Sequence, residues 1–170
     1  MGWMKVVLCL LMLSIFLQDL RYRAVHWWLF PLLLLCGILA KGTIISLWMP
    51  DFFYNLGFCV LQLLLLTLYL SARQGRFVLI FREHLGIGDL LFLVAVGAYL
   101  SFLNFLLFYV LSLVLIALFE LVKGYWAETD KKIPLAGYQG LLLVTAIAAN
   151  EWFVFGISLT DDAWLLNYVL

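Results

Sequence analysis

The sequence predicts an all-α integral membrane protein: a single bundle of about six transmembrane helices, with both termini on the non-cytoplasmic side. Three observations predict it. Of the 170 residues, 67% are hydrophobic and only 12% are charged, against roughly half and a quarter in soluble domains. The mean hydropathy is +1.13. Six apolar segments recur at near the length of a bilayer span, which needs roughly 20 residues. Finally, lysine and arginine fall unevenly between alternate loops, as they do where a chain crosses a membrane repeatedly.

The segments follow in order, within one domain covering 1–170. The first runs over about 3–18. Its stretch "VVLCLLMLSIFL" after Lys5 has the look of a signal peptide, but no small-residue cleavage site follows, so it is read as a retained span. The second covers about 27–47 and the third about 52–71. Between the third and fourth lies "RQGRFVLIFREHLG", basic at its start and apolar in its middle, which is expected to dip into the inner interface. The fourth, about 89–102, is short for a span, and the fifth covers about 105–122. Only "SFLN", Ser101 to Asn104, separates these two, which predicts a tight helical hairpin with Asn104 satisfying backbone groups at the turn. "VAVGAYLS" in the fourth marks close helix packing. The sixth covers about 134–156. The tail "LTDDAWLLNYVL" is too short to cross. Thr160 before two aspartates predicts the start of a short helix on the outer surface.

Orientation follows from the basic residues. Arg21, Arg23, Arg73, Arg76, Arg82, Lys123, Lys131 and Lys132 fall on one side, and only Lys5 and Lys41 on the other. The basic side is assigned to the cytoplasm. Trp27, Trp28 and Trp126 fall near inner boundaries and Trp3, Trp48, Trp152 and Trp164 near outer ones, at the headgroup level that tryptophan favours. The net charge is zero, so no nucleic-acid partner is implied. Cys9, Cys36 and Cys59 stand singly in apolar runs and read as small buried hydrophobes, with neither a zinc site nor a disulfide framework expected.

Asp19 closes the first span and Asp89 opens the fourth, at the same depth on the cytoplasmic side. Carboxylates are expensive there and default to function. Two that converge cannot both ionise, so they share one proton. The ionised one takes a proton from water while the protonated one donates to a carbonyl oxygen, which suffices to hydrolyse a peptide bond with no metal or cofactor. Gly86 and Gly88 leave room for backbone or substrate and permit an irregular turn before the helix. The structural alternatives are that Asp89 is a helix N-cap and that Asp19 pairs with Arg21 or Arg23 at the interface. His26 and His84 are read as interfacial residues. Glu151 is read as an outer headgroup contact or a polar pair within the bundle, and Glu120 as near enough to the acids in depth to tune them. Two further functions stay open: a noncatalytic membrane scaffold, and a small proton- or ion-coupled transporter. A transporter more often holds its polar groups at the midplane, whereas both acids fall at the boundary.

Three stretches carry a family resemblance. "QDLRYRAVHWW" from Gln18, "LGIGDLLFL" from Leu85 and "KKIPLAGYQGLLL" from Lys131 occur in that order, each on the cytoplasmic side. Together they resemble the type IV prepilin and preflagellin peptidases, membrane aspartic proteases of the G-x-G-D class. The resemblance implies that Asp19 and Asp89 are the catalytic pair, that Gly86 and Gly88 shape the turn of the second, and that Pro134 caps the last span near the site. It implies cleavage of the short basic leader of a pilin-like precursor, just before that partner's hydrophobic helix, at the cytoplasmic face of the inner membrane. The sequence departs from the family pattern at Val25 and His26, where Ile-Pro is usual, and at Leu91, where lysine is frequent. The cytoplasmic insert and four-cysteine zinc site of the bifunctional members are missing, so peptidase activity without N-methylation is expected.

Overall fold

The computed structural model describes residues 2–42, 45–75, 86–126, 134–153 and 158–164. Its described residues form six helices and no strand: α1 Trp3–Tyr22, α2 Leu29–Lys41, α3 Ile45–Gln74, α4 Ile87–Gly97, α5 Phe102–Trp126 and α6 Leu135–Phe153. The segment expected to dip into the inner interface, with His84, lies outside the described residues, apart from its first three positions and its last.

Helix ends follow local chemistry. Gly2 precedes α1, whose last turn closes on Arg23 in the left-handed region, with φ of 51° and its N–H donating to the Asp19 carbonyl. A left-handed residue commonly ends a helix, though usually a glycine. Pro31 sits in the first turn of α2, where a missing N–H costs nothing. Gly42, at φ 63°, ends α2. The second expected span is therefore 13 residues of helix, about 20 Å long, because the chain turns at Gly42 and the apolar run continues into α3. The fourth is 11 residues and begins at Ile87 rather than Asp89. Both fall short of a hydrocarbon core of about 30 Å. Among the described residues three helices are long and apolar enough to cross a membrane: Trp3–Tyr22, Met49–Gln74 and Phe102–Val122.

The short α4 is the best-buried element. Phe92, Ala95, Val96, Ala98, Tyr99 and Leu100 at its core and C-terminal end are almost wholly enclosed. It packs against α2 and α3, and less extensively against α5 and α6. The tight turn before α5 is present, but α4 and α5 diverge from it and share little surface, so the expected helical hairpin is only a turn. Buried Asn55 of α3 holds the end of α4, its Nδ2 donating to the Gly97 and Leu100 carbonyls at 2.8 and 3.2 Å. Gly97 makes the approach possible, since a Cβ there would meet the Asn55 Cβ at 3.1 Å.

Asn104 was expected to satisfy backbone groups at the turn; its Nδ2 instead donates to the Ser101 hydroxyl there and to the carbonyls of Ser158 and Asp161 in the tail. Asp162 accepts from the Ser101 hydroxyl and from the Leu103 and Asn104 amides. The tail thus caps α5 and is clasped to the bundle. Thr160 lies in a turn, and the Ala163 N–H donates to Asp161 Oδ1; the expected surface helix falls largely outside the described residues.

The α1–α6 seam is the most extensive helix contact among the described residues. At one end Lys5 pairs with Glu151; at the other the Gly137 amide meets Asp19. The intervals 5–19 and 137–151 are equal, so the helices run antiparallel in register over about 21 Å. Glu151 is thus a polar pair within the bundle. Lys41, expected on the outer side, is buried and donates to Asp51 at 2.7 Å. Cys9, Cys36 and Cys59 are buried and unpaired with one another, as their apolar surroundings predict.

Candidate active site

Asp19 lies in the last turn of α1, half-buried, on the face turned towards α6. Asp89 is the third residue of α4 and also half-buried. The N-cap position belongs to Gly86, in an extended conformation, so the reading of Asp89 as an N-cap is not met. The Asp89 N–H donates to the Gly86 carbonyl at 3.1 Å, and the Gly86 amide faces the Asp89 carboxylate in return. A third-position acid reaching back to the cap residue is half of a capping box. A Cβ on Gly86 would lie 3.0 Å from Asp89 Oδ2. Gly86 is therefore required by close approach, not by unusual backbone angles. Gly88 is helical, and a Cβ there would lie 3.6 Å from the Phe30 ring, an ordinary contact.

The start of α6 joins the two acids. Pro134 immediately precedes this helix, its carbonyl accepting the Tyr138 N–H at 3.1 Å. Two adjacent amides of the first turn then point at the carboxylates. Ala136 N–H donates to Asp89 Oδ1 at 2.9 Å, and Gly137 N–H donates to Asp19 Oδ2 at 2.8 Å. Successive amide nitrogens are at most ~3.7 Å apart, so the two bonded oxygens lie within about 10 Å of each other. Asp19 is close enough to act electrostatically on Asp89. First-turn amides of a helix have no partner inside it, and the helix dipole favours negative charge there. A helix N-terminus is thus a natural seat for carboxylates.

Neighbouring groups complete the rim. Arg23 is the cation that acts on Asp19. Exposed His26 bonds to Gln18 Oε1 through both its amide and its Nδ1, each at 3.1 Å, beside Asp19. Phe119, next to Glu120 on α5, packs edge-on to Tyr138 at 5.6 Å between ring centres. Among the described residues no group of three His, Cys, Asp or Glu is placed to hold a metal ion.

Two groups escape a reading of side chains: the amides of Ala136 and Gly137. Backbone donors leave no signature in composition. The available signal is the run "PLAG", a proline at a helix start followed by small residues that admit close neighbours. Buried Asn55 and Gln139 and half-buried Gln62 also went unread, though each is a polar interruption of an apolar helix. Gln62 bonds to the Tyr109 hydroxyl, and Gln139 donates to Ser112 Oγ at 3.1 Å.

A family model described as the type IV leader peptidase family matches residues 6–121. The matched stretch contains both Asp19 and Asp89 and stops short of α6. No curated protein and no solved structure matches the chain. The match covers well over half of the sequence, and the three long apolar helices suit a membrane protease: the chain belongs to the type IV leader peptidase family.

Proposed function

We propose that the protein is an aspartic-type endopeptidase of the inner membrane. It removes the short leader of pilin-like precursors at the cytoplasmic face, without N-methylating the product. Asp19 and Asp89 form its acid–base pair. The ionised carboxylate takes a proton from water as the oxygen attacks the scissile carbonyl carbon. The protonated partner gives its hydrogen to the carbonyl oxygen. When the tetrahedral intermediate collapses, the C–N bond breaks and the leaving nitrogen takes up the proton first removed from water. The substrate's hydrophobic helix remains in the bilayer, and the cleavage point stands just outside it. All six helices are counted as membrane-embedded in this reading, the short α2 and α4 lying where the bundle is thin.

One observation supports this reading above the others. Two acids far apart along the chain accept hydrogen bonds from adjacent amides of one helix. Each bond uses one oxygen of its carboxylate, and the Gly86 amide also faces the Asp89 carboxylate. A scaffold has no need of such a pairing.

The test is cleavage of a pilin-like precursor by the purified protein in lipid. The wild type is expected to release the leader, and Asp19→Asn and Asp89→Asn are each expected to lower the rate by at least ~10³-fold, the loss typical of an acid–base group that cannot transfer a proton. Wild-type rates from either variant would remove the pair from the mechanism.

A further inference from the structure

We propose that Gly137 is a positioning residue of the peptidase: its amide and its bare α-carbon together set where the Asp19 carboxylate stands. This rests on the assignment of Asp19 to the acid–base pair. Gly137 lies outside the stretch matched by the family model.

Three features of Gly137 converge on Asp19. Its N–H donates to Asp19 Oδ2 at 2.8 Å. A Cβ built on it would meet both Asp19 Cβ and Asp19 Oδ2 at 3.1 Å, closer than ordinary van der Waals contact. It is also buried in the α1–α6 seam, so neither helix can retreat at small cost. Any side chain at 137 must therefore displace Asp19 itself. The neighbouring Ala136 tolerates its methyl group because its carboxylate partner, Asp89, comes from α4 and not from α1. The two sites of one helix end are thus unequal: one is fixed by a bond alone, the other by a bond and a steric stop.

Gly140 supplies the comparison. It lies in the same seam one turn further along α6, and a Cβ there would approach the Met12 carbonyl at 3.4 Å and the Phe92 ring at 3.6 Å, with no carboxylate near. A purely structural need for small residues predicts that Gly140→Ala and Gly137→Ala behave alike.

The experiment has two arms. In the first, precursor cleavage and thermal unfolding are measured for wild type, Gly137→Ala and Gly140→Ala in lipid. Gly137→Ala is expected to lower kcat about tenfold or more, since small misplacements of reacting groups are costly, with KM within twofold of wild type. Its unfolding midpoint is expected to match that of Gly140→Ala, whose kcat stays near wild type. Wild-type kcat in Gly137→Ala, or equal loss of kcat and stability in both variants, would overturn the proposal. In the second arm, the Gly137 amide resonance is followed by 15N NMR in wild type and Asp19→Ala. It is expected to shift and to lose exchange protection when the carboxylate is removed. An unmoved resonance would overturn the proposal whether or not any precursor is cut. Failure of the wild type to cleave would count against the enzyme reading alone.

Discussion

Replacing Asn55 isolates the hydrogen bonds that hold the end of α4, the helix carrying Asp89. Asn55 is 1% exposed, and its Nδ2 satisfies the Gly97 and Leu100 carbonyls at 2.8 and 3.2 Å. Leucine at 55 roughly keeps the volume and removes the donor. Each buried carbonyl left bare costs about 1–3 kcal/mol. The second bond is long, so the sum is about 2–4 kcal/mol. For a chain of this size that lowers the unfolding midpoint by roughly 5–15 °C. Alanine at 55 adds a cavity and is expected to fall further. The assay is thermal unfolding in detergent, followed by near-UV circular dichroism. The measurement also bears on function, because a loosened α4 moves Asp89 relative to α6. Asn55→Leu melting within 2 °C of wild type would refute the reasoning, since it would mean the two carbonyls find other partners.

Two further perturbations test the framework around the acids. For Lys5→Met and Glu151→Gln, a double-mutant cycle on unfolding midpoints is expected to show coupling of about 1 kcal/mol or more, as the pair is partly shielded from solvent; additive effects would contradict the antiparallel register of α1 and α6. Asp162→Ala removes the cap of α5, and hydrogen exchange at the Leu103 and Asn104 amides is expected to accelerate by roughly tenfold, the equivalent of about 1–2 kcal/mol; unchanged exchange would show that the tail is not clasped to the turn.

Much of the fold was legible because bilayer-length hydrophobicity is a strong signal, and α1, α3 and α5 stand close to where the apolar runs predict them. The ends were harder. The apolar run through 27–47 hides Gly42, whose left-handed turn separates α2 from α3. Nothing local fixes the end of α4 at Gly97, which depends on Asn55 arriving from α3. Lys41 read only as an outer-side cation because its partner Asp51 follows in another helix. At the candidate site the two acids stood out as costly charges and Gly86 as a point of close approach, whereas Gly88 lies within the helix, where a Cβ would only touch Phe30. The seat that joins the acids was not legible, because it is made of main-chain amides. Pro134 marked its location without revealing the donors, Ala136 and Gly137.

The account depends on Asp19 and Asp89 meeting at one helix end in the membrane. Cysteines placed at 19 and 89, in a chain with Cys9, Cys36 and Cys59 changed to alanine, measure this directly in native vesicles. A bifunctional thiol reagent spanning about 10 Å is expected to join the two positions within one chain, detected by mass spectrometry of the linked peptides. Modification of each cysteine separately, with no intramolecular link at any reagent length up to that span, would contradict it.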